Sequence, residues 1–190
     1  MKVLVTGTST GIGRGIAEKF LAEGHTVIGL DVAESTIAHE NYAHYIADVA
    51  CPEQLPAVEG VEILINNAGV QDSGRDIDVN LRGTIYCTEK YGIQPNIKSI
   101  VMTASVSAHN GAEFPEYCAS KGGVLAYTKN VALRVAKYGA TCNSISAGGV
   151  ITELNAHILE NPALWDQGMA ETLLPKWATV EEMAEWTYFL

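Results

Sequence analysis

The first 24 residues constrain this chain more than any other stretch. Lys2-Val3-Leu4-Val5-Thr6 suits a buried strand. Gly7-Thr8-Ser9-Thr10-Gly11-Ile12-Gly13 follows, and then Ile16, Ala17, Phe20 and Leu21 recur at helical spacing as far as Gly24. A strand that passes through a glycine-rich turn into a helix is built to cradle phosphates. The glycines let backbone N–H groups approach a pyrophosphate, and the helix N-terminus supplies positive potential. Glycines clustered in a loop are commonly only a turn; the position between strand and helix favours the phosphate reading.

The rest of the chain repeats the strand–helix alternation. Thr26-Val27-Ile28-Gly29-Leu30 reads as a second strand, with Asp31 at its carboxyl end. An acidic side chain there accepts hydrogen bonds from ribose hydroxyls and repels a 2′-phosphate; the plain alternative is a cap or turn aspartate. Val32 to Asn41 is too short for a long crossover helix. A third strand is expected over His44 to Ala47, with Asp48-Val49 after it, and only a short helix fits between Cys51 and Val58. Val61 to Ile65 is the fourth strand and leads into Asn66-Asn67-Ala68-Gly69, a wall for a ligand or a simple turn. A helix over Asp78 to Tyr91 carries Asn80, and a fifth strand over Ile97 to Thr103 leads to Ser105.

Tyr117 and Lys121, four apart, share one face of the next helix, where the ammonium favours the phenolate. Taken alone, such a pair is an ordinary solvated helix face. The helix continues along Leu125, Thr128, Val131, Ala132 and Val135 to Gly139, and Gly122 and Gly123 permit close packing one turn in. Thr141 to Ile145 is the sixth strand. The apolar, short-helical segment 152–176 suits a substrate lid or packs on the core, and Thr179 with Glu182 forms a capping box for a last helix. The fold class is therefore α/β, a Rossmann-like doubly wound parallel sheet of about six strands in a single domain over residues 1–190.

Composition excludes several roles. The formal charge of −10 opposes nucleic-acid and anionic-membrane binding, and the 12 basic residues are scattered. No apolar run reaches the length of a membrane span, and the N-terminus lacks signal-peptide organisation. Cys51, Cys87, Cys118 and Cys142 are isolated, without metal-ligand spacing, as reduced thiols in a cytoplasmic protein would be. No metal is expected.

In order along the chain, Thr6-Gly7-xxx-Gly11-x-Gly13, Asp31, Asp48-Val49, Asn66-Asn67-Ala68-Gly69, Asn80, Ser105 and Tyr117-xxx-Lys121 resemble the short-chain dehydrogenase/reductase family. The resemblance runs from Lys2 to the last helix. It implies an oxidoreductase that moves a hydride between a nicotinamide and a secondary alcohol/ketone pair. Tyr117 would be the general acid/base, Lys121 would lower its pKa and hold the nicotinamide ribose, Ser105 would bind the substrate oxygen, and Asn80 would hold a water relaying protons to Lys121. Gly7, Ser9, Gly11, Ile12 and Gly13 would form the pyrophosphate turn, and Asp31 would take the ribose. Asp48 and Val49 would flank the adenine, Asn67 and Gly69 would lie by the adenosine ribose, and Val150 and Thr152 would contact the nicotinamide amide. Members that prefer NADP often carry a basic residue where Thr10 or Val32 stands here, so NAD is the implied cofactor.

The sequence departs from the family pattern in three places. The segment between Gly69 and Asn80 is short, so most of one crossover helix is missing; that helix normally serves a subunit interface, which speaks against a tetramer and leaves a homodimer among homo-oligomers. Ala147-Gly148 replaces the usual Pro-Gly. The family's last strand is absent, which implies a truncated chain or a strand supplied by a partner, an open edge at the sixth strand, and no floor beneath Trp186, Tyr188, Phe189 and Leu190. The expected substrate is a small, moderately hydrophobic alcohol or ketone, with hydroxysteroid and 3-oxoacyl compounds among the family's possibilities. The rival reading is a catalytically silent NAD-binding sensor or scaffold on the same fold.

Overall fold

Six strands, β1 (Lys2–Thr6), β2 (Thr26–Asp31), β3 (Tyr42–Ile46), β4 (Ile63–Asn66), β5 (Ser99–Ser105) and β6 (Thr141–Ala147), form one parallel sheet in the order β3-β2-β1-β4-β5-β6. This is a computed structural model, and it describes residues 1–112 and 114–190. The doubly wound arrangement expected from the alternation is present. The strand order reverses between β1 and β4, and ligands of open α/β sheets bind in the crevice at such a point.

Alternating side chains of the central strands divide the core. Val3, Val5, Ile63, Ile65 and Val101 face α1 (Gly11–Ala22) and α7 (Val180–Phe189), meeting Ile16, Phe20 and Ala184. Leu4, Leu64, Ile100 and Met102 point to the other face. There they join Val124, Val131 and Val135 of α4 (Pro115–Val135) and Tyr91 of a helical stretch, α2, built from the successive segments Ile77–Gly83, Thr84–Cys87 and Thr88–Gly92. The first and last of those segments have wide, π-helical turns, and Asn80 lies in the first. Such turns favour functional sites because they re-aim one side chain within a helix.

Element ends differ from the sequence pattern where pairing overrides local signals. β3 starts at Tyr42, two residues early, because Tyr42 opposes Val27 of β2. β5 begins at Ser99 rather than Ile97, and β6 extends to Ala147 because Ala147 opposes Ser105. The β2–β3 connection is helix-free, and the short helix after Cys51 is a single 3₁₀ turn, Pro52–Gln54. Gly123 lies against Leu81 of α2 as expected, but Gly122 faces open space and makes no such close approach.

After β6 the chain forms a 3₁₀ turn, Glu153–Asn155, and two short helices, α5 (Ala156–Leu159) and α6 (Pro162–Ala170). Trp165 packs on Trp177 with ring centroids 5.2 Å apart, whereas Leu154, Leu173 and Leu174 face outward. The capping box on α7 has both halves: Glu182 N donates to Thr179 Oγ1 at 3.2 Å, and Thr179 N donates to Glu182 Oε2 at 3.0 Å. Trp186 and Phe189 are exposed, whereas Tyr188 packs edge-on against Phe20 of α1 at 5.2 Å and against His25 at 6.0 Å. Among the described residues no helix is long and apolar enough to cross a membrane.

Candidate active site

The carboxyl ends of β1 and β4 are locked together before any ligand is considered. Thr6 Oγ1 accepts from both Asn67 N and Ala68 N at 3.0 Å, and Asn67 Nδ2 donates to Thr6 O at 3.1 Å and Gly7 O at 3.3 Å. Gly7 needs its glycine, since its φ of +76° is left-handed. Gly13 needs its own for another reason: a β-carbon there would overlap the Gly7 carbonyl oxygen and the Asn67 amide. The turn therefore carries helix α1 directly onto the sheet. Thr10, at the N-cap of α1, makes no side-chain capping bond, and the first turn holds no acidic residue. Its backbone N–H groups and Ile12 are thus suited to an anion such as a pyrophosphate. Thr152, after β6, sits over this turn, its methyl 3.5 Å from where a Gly11 β-carbon would lie. Val150, buried nearby, is bridged in parallel to Ala178.

At the carboxyl end of β2, Asp31 accepts from Ser9 N at 2.9 Å and Ala33 N at 3.0 Å, which aims the carboxylate over the turn. The helix-free β2–β3 connection folds back on Ser9, with Thr36 Oγ1 donating to Ser9 O at 2.7 Å. Beneath it, Thr8, Tyr42 and His44 form a chain of hydrogen bonds of 2.8 and 3.0 Å that ends on Ala33 O. Asp48 pairs with Arg75 at 2.6 Å. Burial opposes its ionisation, but the Arg75 guanidinium and the Ala50 N–H outweigh that effect and hold its carboxyl below the usual range. Val49 is buried against Gly83 of α2. Sequence reasoning missed Arg75, which lies 27 residues from Asp48 with no motif to mark it.

At the other end, Pro115 starts α4 behind an extended Phe114, and Lys121 lies on the buried face of that helix. Lys121 is only 4% exposed; its Nζ donates to Thr103 O at 2.8 Å and lies 5.7 Å from the Tyr117 ring centroid. Burial lowers the lysine pKa to about 8, with Asp76 pulling in the opposite direction. Ser105, buried at the end of β5 two residues beyond Thr103, accepts from Ser107 N at 3.1 Å and donates to Ser107 Oγ at 3.1 Å, where Ser107 opens the short helix α3 (Ser107–Asn110).

Asn80 is fixed by three elements. Its Oδ1 accepts from Val70 N at 2.8 Å, its Nδ2 donates to Val70 O at 2.9 Å and Ser120 Oγ at 3.0 Å, and its carbonyl accepts from Thr84 Oγ1 at 2.7 Å. Gly69 lies beneath: a β-carbon there would be 3.2 Å from Asn80 Oδ1 and 3.4 Å from Lys121 Nζ. Thr103, Tyr117, Asn80 and Gly69 thus surround one buried ammonium, with Ser105 two residues beyond Thr103 on β5, and the turn residues Gly7, Ser9, Gly13, Asp31 and Asn67 form a second cluster across the β1/β4 switch. Thr103, whose carbonyl anchors the lysine, carried no sequence signal.

The chain is similar to known proteins along nearly its whole length. Residues 7–190 match the family described as enoyl-(acyl carrier protein) reductase. The chain is 29% identical to the 2-(R)-hydroxypropyl-CoM dehydrogenase of Xanthobacter autotrophicus, over 98% of this chain and 89% of that protein. Among solved structures, the ligand-free aldohexose dehydrogenase of Thermoplasma acidophilum superposes with a TM-score of 0.82 at 29% identity, covering 100% of this chain and 86% of that one. The 3-oxoacyl-[acyl-carrier protein] reductase of Brucella melitensis in complex with NAD gives 0.83 at 26% identity, covering 99% and 88%.

Proposed function

The chain belongs to the short-chain dehydrogenase/reductase family, and from that premise we propose that it is an NAD(H)-dependent oxidoreductase interconverting a secondary alcohol and a ketone, with Tyr117 as general acid/base. The observation that carries this reading is the convergence of the Tyr117/Lys121 helix pair on the Thr103–Ser105 end of β5, through the 2.8 Å bond from Lys121 Nζ to Thr103 O.

When bound, the nicotinamide supplies or accepts the hydride. In reduction, Tyr117 gives its phenolic proton to the carbonyl oxygen; in oxidation, the phenolate takes the hydroxyl proton. Ser105 donates to the same oxygen as charge develops on it, turning its hydroxyl from Ser107 Oγ to the substrate. Lys121 holds positive charge beside the phenol, and Asn80 would hold a water that relays protons between Lys121 and solvent. Asp31 accepts from the adenosine ribose hydroxyls and repels a 2′-phosphate, and neither Thr10 nor Val32 offers a compensating cation. Gly7, Ser9, Gly11, Ile12 and Gly13 present the pyrophosphate turn. Asp48, Val49, Asn67 and Gly69 line the adenosine, and Val150 and Thr152 lie toward the nicotinamide.

Residues 152–176 act as the lid, and the outward Leu154, Leu173 and Leu174 suit a moderately hydrophobic substrate. The relatives differ in substrate by name, so only what those names share, an alcohol/carbonyl pair, is carried over. The test is NADH consumption against a panel of ketones, with alcohols and NAD in reverse. Tight NAD binding with no turnover on any of them, unchanged in Tyr117→Phe, would support the sensor reading instead.

A further inference from the structure

The chain leaving β6 has little of its own to stiffen it, since Ala147-Gly148-Gly149 runs directly into Val150. Glycine leaves the backbone free and gives no side chain to pack, so the place of Val150 depends on what surrounds it. Three hydrogen bonds hold it. Ala178 N donates to Gly149 O at 3.0 Å, Ile151 N donates to Ala178 O at 2.9 Å, and Asn155 Nδ2 donates to Val150 O at 2.8 Å. The strand that carries Val150 is therefore pinned to Ala178, on the far side of the lid.

Ala178 is itself fixed from both sides. Beyond it, Thr179 caps α7, and Val180 fills the space that a β-carbon on Gly15 of α1 would take. Before it stands Trp177, which is buried. Its indole occupies a gap left by two glycines. A β-carbon on Gly149 would overlap the ring, and one on Gly168 of α6 would come within 3.0 Å of Cζ2. Trp165, also on α6, packs on the same indole with ring centroids 5.2 Å apart. Helix α6 has no fully buried residue of its own, and Trp177 is the buried side chain on which Trp165 and Gly168 rest. One indole thus touches both the lid helix and the strand of Val150. Its contact area, on the order of 150–250 Å² for a buried aromatic, replaces the packing that the glycines cannot supply.

We propose that Trp177 is a positioning residue for the nicotinamide end of the site: its indole clamps lid helix α6 to the Gly149–Ile151 strand and so sets where Val150 and Thr152 stand. This rests on the placement of those two residues at the nicotinamide in the function proposed above. Removing the indole frees the strand at its glycines and lets α6 lift. The pyrophosphate turn keeps its own bonds from Asn67 to Thr6 O and Gly7 O, so the loss is confined to the nicotinamide half of the cofactor.

The experiment compares the wild type with Trp177→Leu in binding NADH and ADP-ribose, which shares the adenosine, the pyrophosphate and the second ribose but has no nicotinamide. NADH is expected to bind the variant at least ~10-fold more weakly, and ADP-ribose to stay within about 2-fold of the wild type. Hydrogen exchange at the Ile151 and Ala178 amides, read by NMR without ligand, is expected to accelerate by at least ~10-fold. Trp177→Phe keeps an aromatic ring between the glycines. It should move both readouts the same way by less, and it supplies the comparison if the leucine variant does not fold. Equal weakening of the two nucleotides, or no change in either, overturns the positioning role and leaves Trp177 as packing alone. Unchanged exchange at the two amides overturns the clamp. A wild type that binds neither nucleotide refutes the cofactor reading and the nicotinamide role with it, while faster exchange in the variant still upholds the clamp.

Discussion

Lys121 Nζ lies 2.8 Å from the carbonyl oxygen of Thr103, so a charged side chain on α4 is anchored to the backbone of β5 two residues before Ser105. That bond fixes the helix phase, and with it Tyr117 one turn earlier. The phenol, the buried ammonium and the serine hydroxyl thus share the carboxyl end of the sheet through one contact that neither motif contains.

The arrangement stores a measurable cost. The Lys121 pKa falls from 10.5 to about 8 on burial. Below pH 8 the ammonium is charged in folded and unfolded chains alike, and the folded protein carries the full penalty. Between pH 8 and 10.5 the folded lysine releases its proton first, so stability rises with pH; above 10.5 the penalty is gone. Lys121→Met should therefore be more stable than the wild type below pH 8, by on the order of 2–3 kcal/mol, with the advantage vanishing toward pH 10.5. Urea denaturation at the two ends of that range measures it. A methionine variant less stable than the wild type at neutral pH would contradict the account.

Gly13→Ala should damage cofactor binding and stability together. The new methyl group would displace the Gly7 carbonyl or the Asn67 amide, both of which hold the turn. A cost of about 1–3 kcal/mol is expected from overpacking, with at least ~10-fold weaker NADH binding by fluorescence titration.

Asp31→Ala removes the acceptor of two backbone N–H groups and the negative charge at the ribose site. Affinity for NAD should fall by about 10- to 100-fold, the scale of hydrogen bonds to a charged group, and the preference for NAD over NADP should shrink. Parallel binding isotherms with the two cofactors read both effects.

Thr179→Ala tests the closure of the fold away from the chemistry. Losing the cap on α7 should cost about 1 kcal/mol, seen as a lower denaturation midpoint with kcat unchanged.

Much of this was legible in the residues. Val3, Leu4 and Val5 alternate between the two faces of the core, and the glycine turn, the capping box and the Tyr117/Lys121 spacing are local patterns that physics makes hard to use otherwise. Strand ends were not legible, because Tyr42 joins β3 through its partner Val27 rather than through its own propensity. Gly122 and Gly123 were indistinguishable until α2 placed Leu81 against one of them. The same limit hid Arg75 beside Asp48: it is an ordinary charged residue whose meaning arises from a fold-made neighbour.

The most direct test of the central claim compares Tyr117→Phe with the wild type, measuring NADH binding and ketone-dependent NADH oxidation on the same samples. The phenol is placed to transfer a proton, so the variant should bind NADH with unchanged affinity while kcat falls by about 10²–10⁴-fold or more. Equal turnover in the two proteins would contradict the assignment of Tyr117 as the general acid/base.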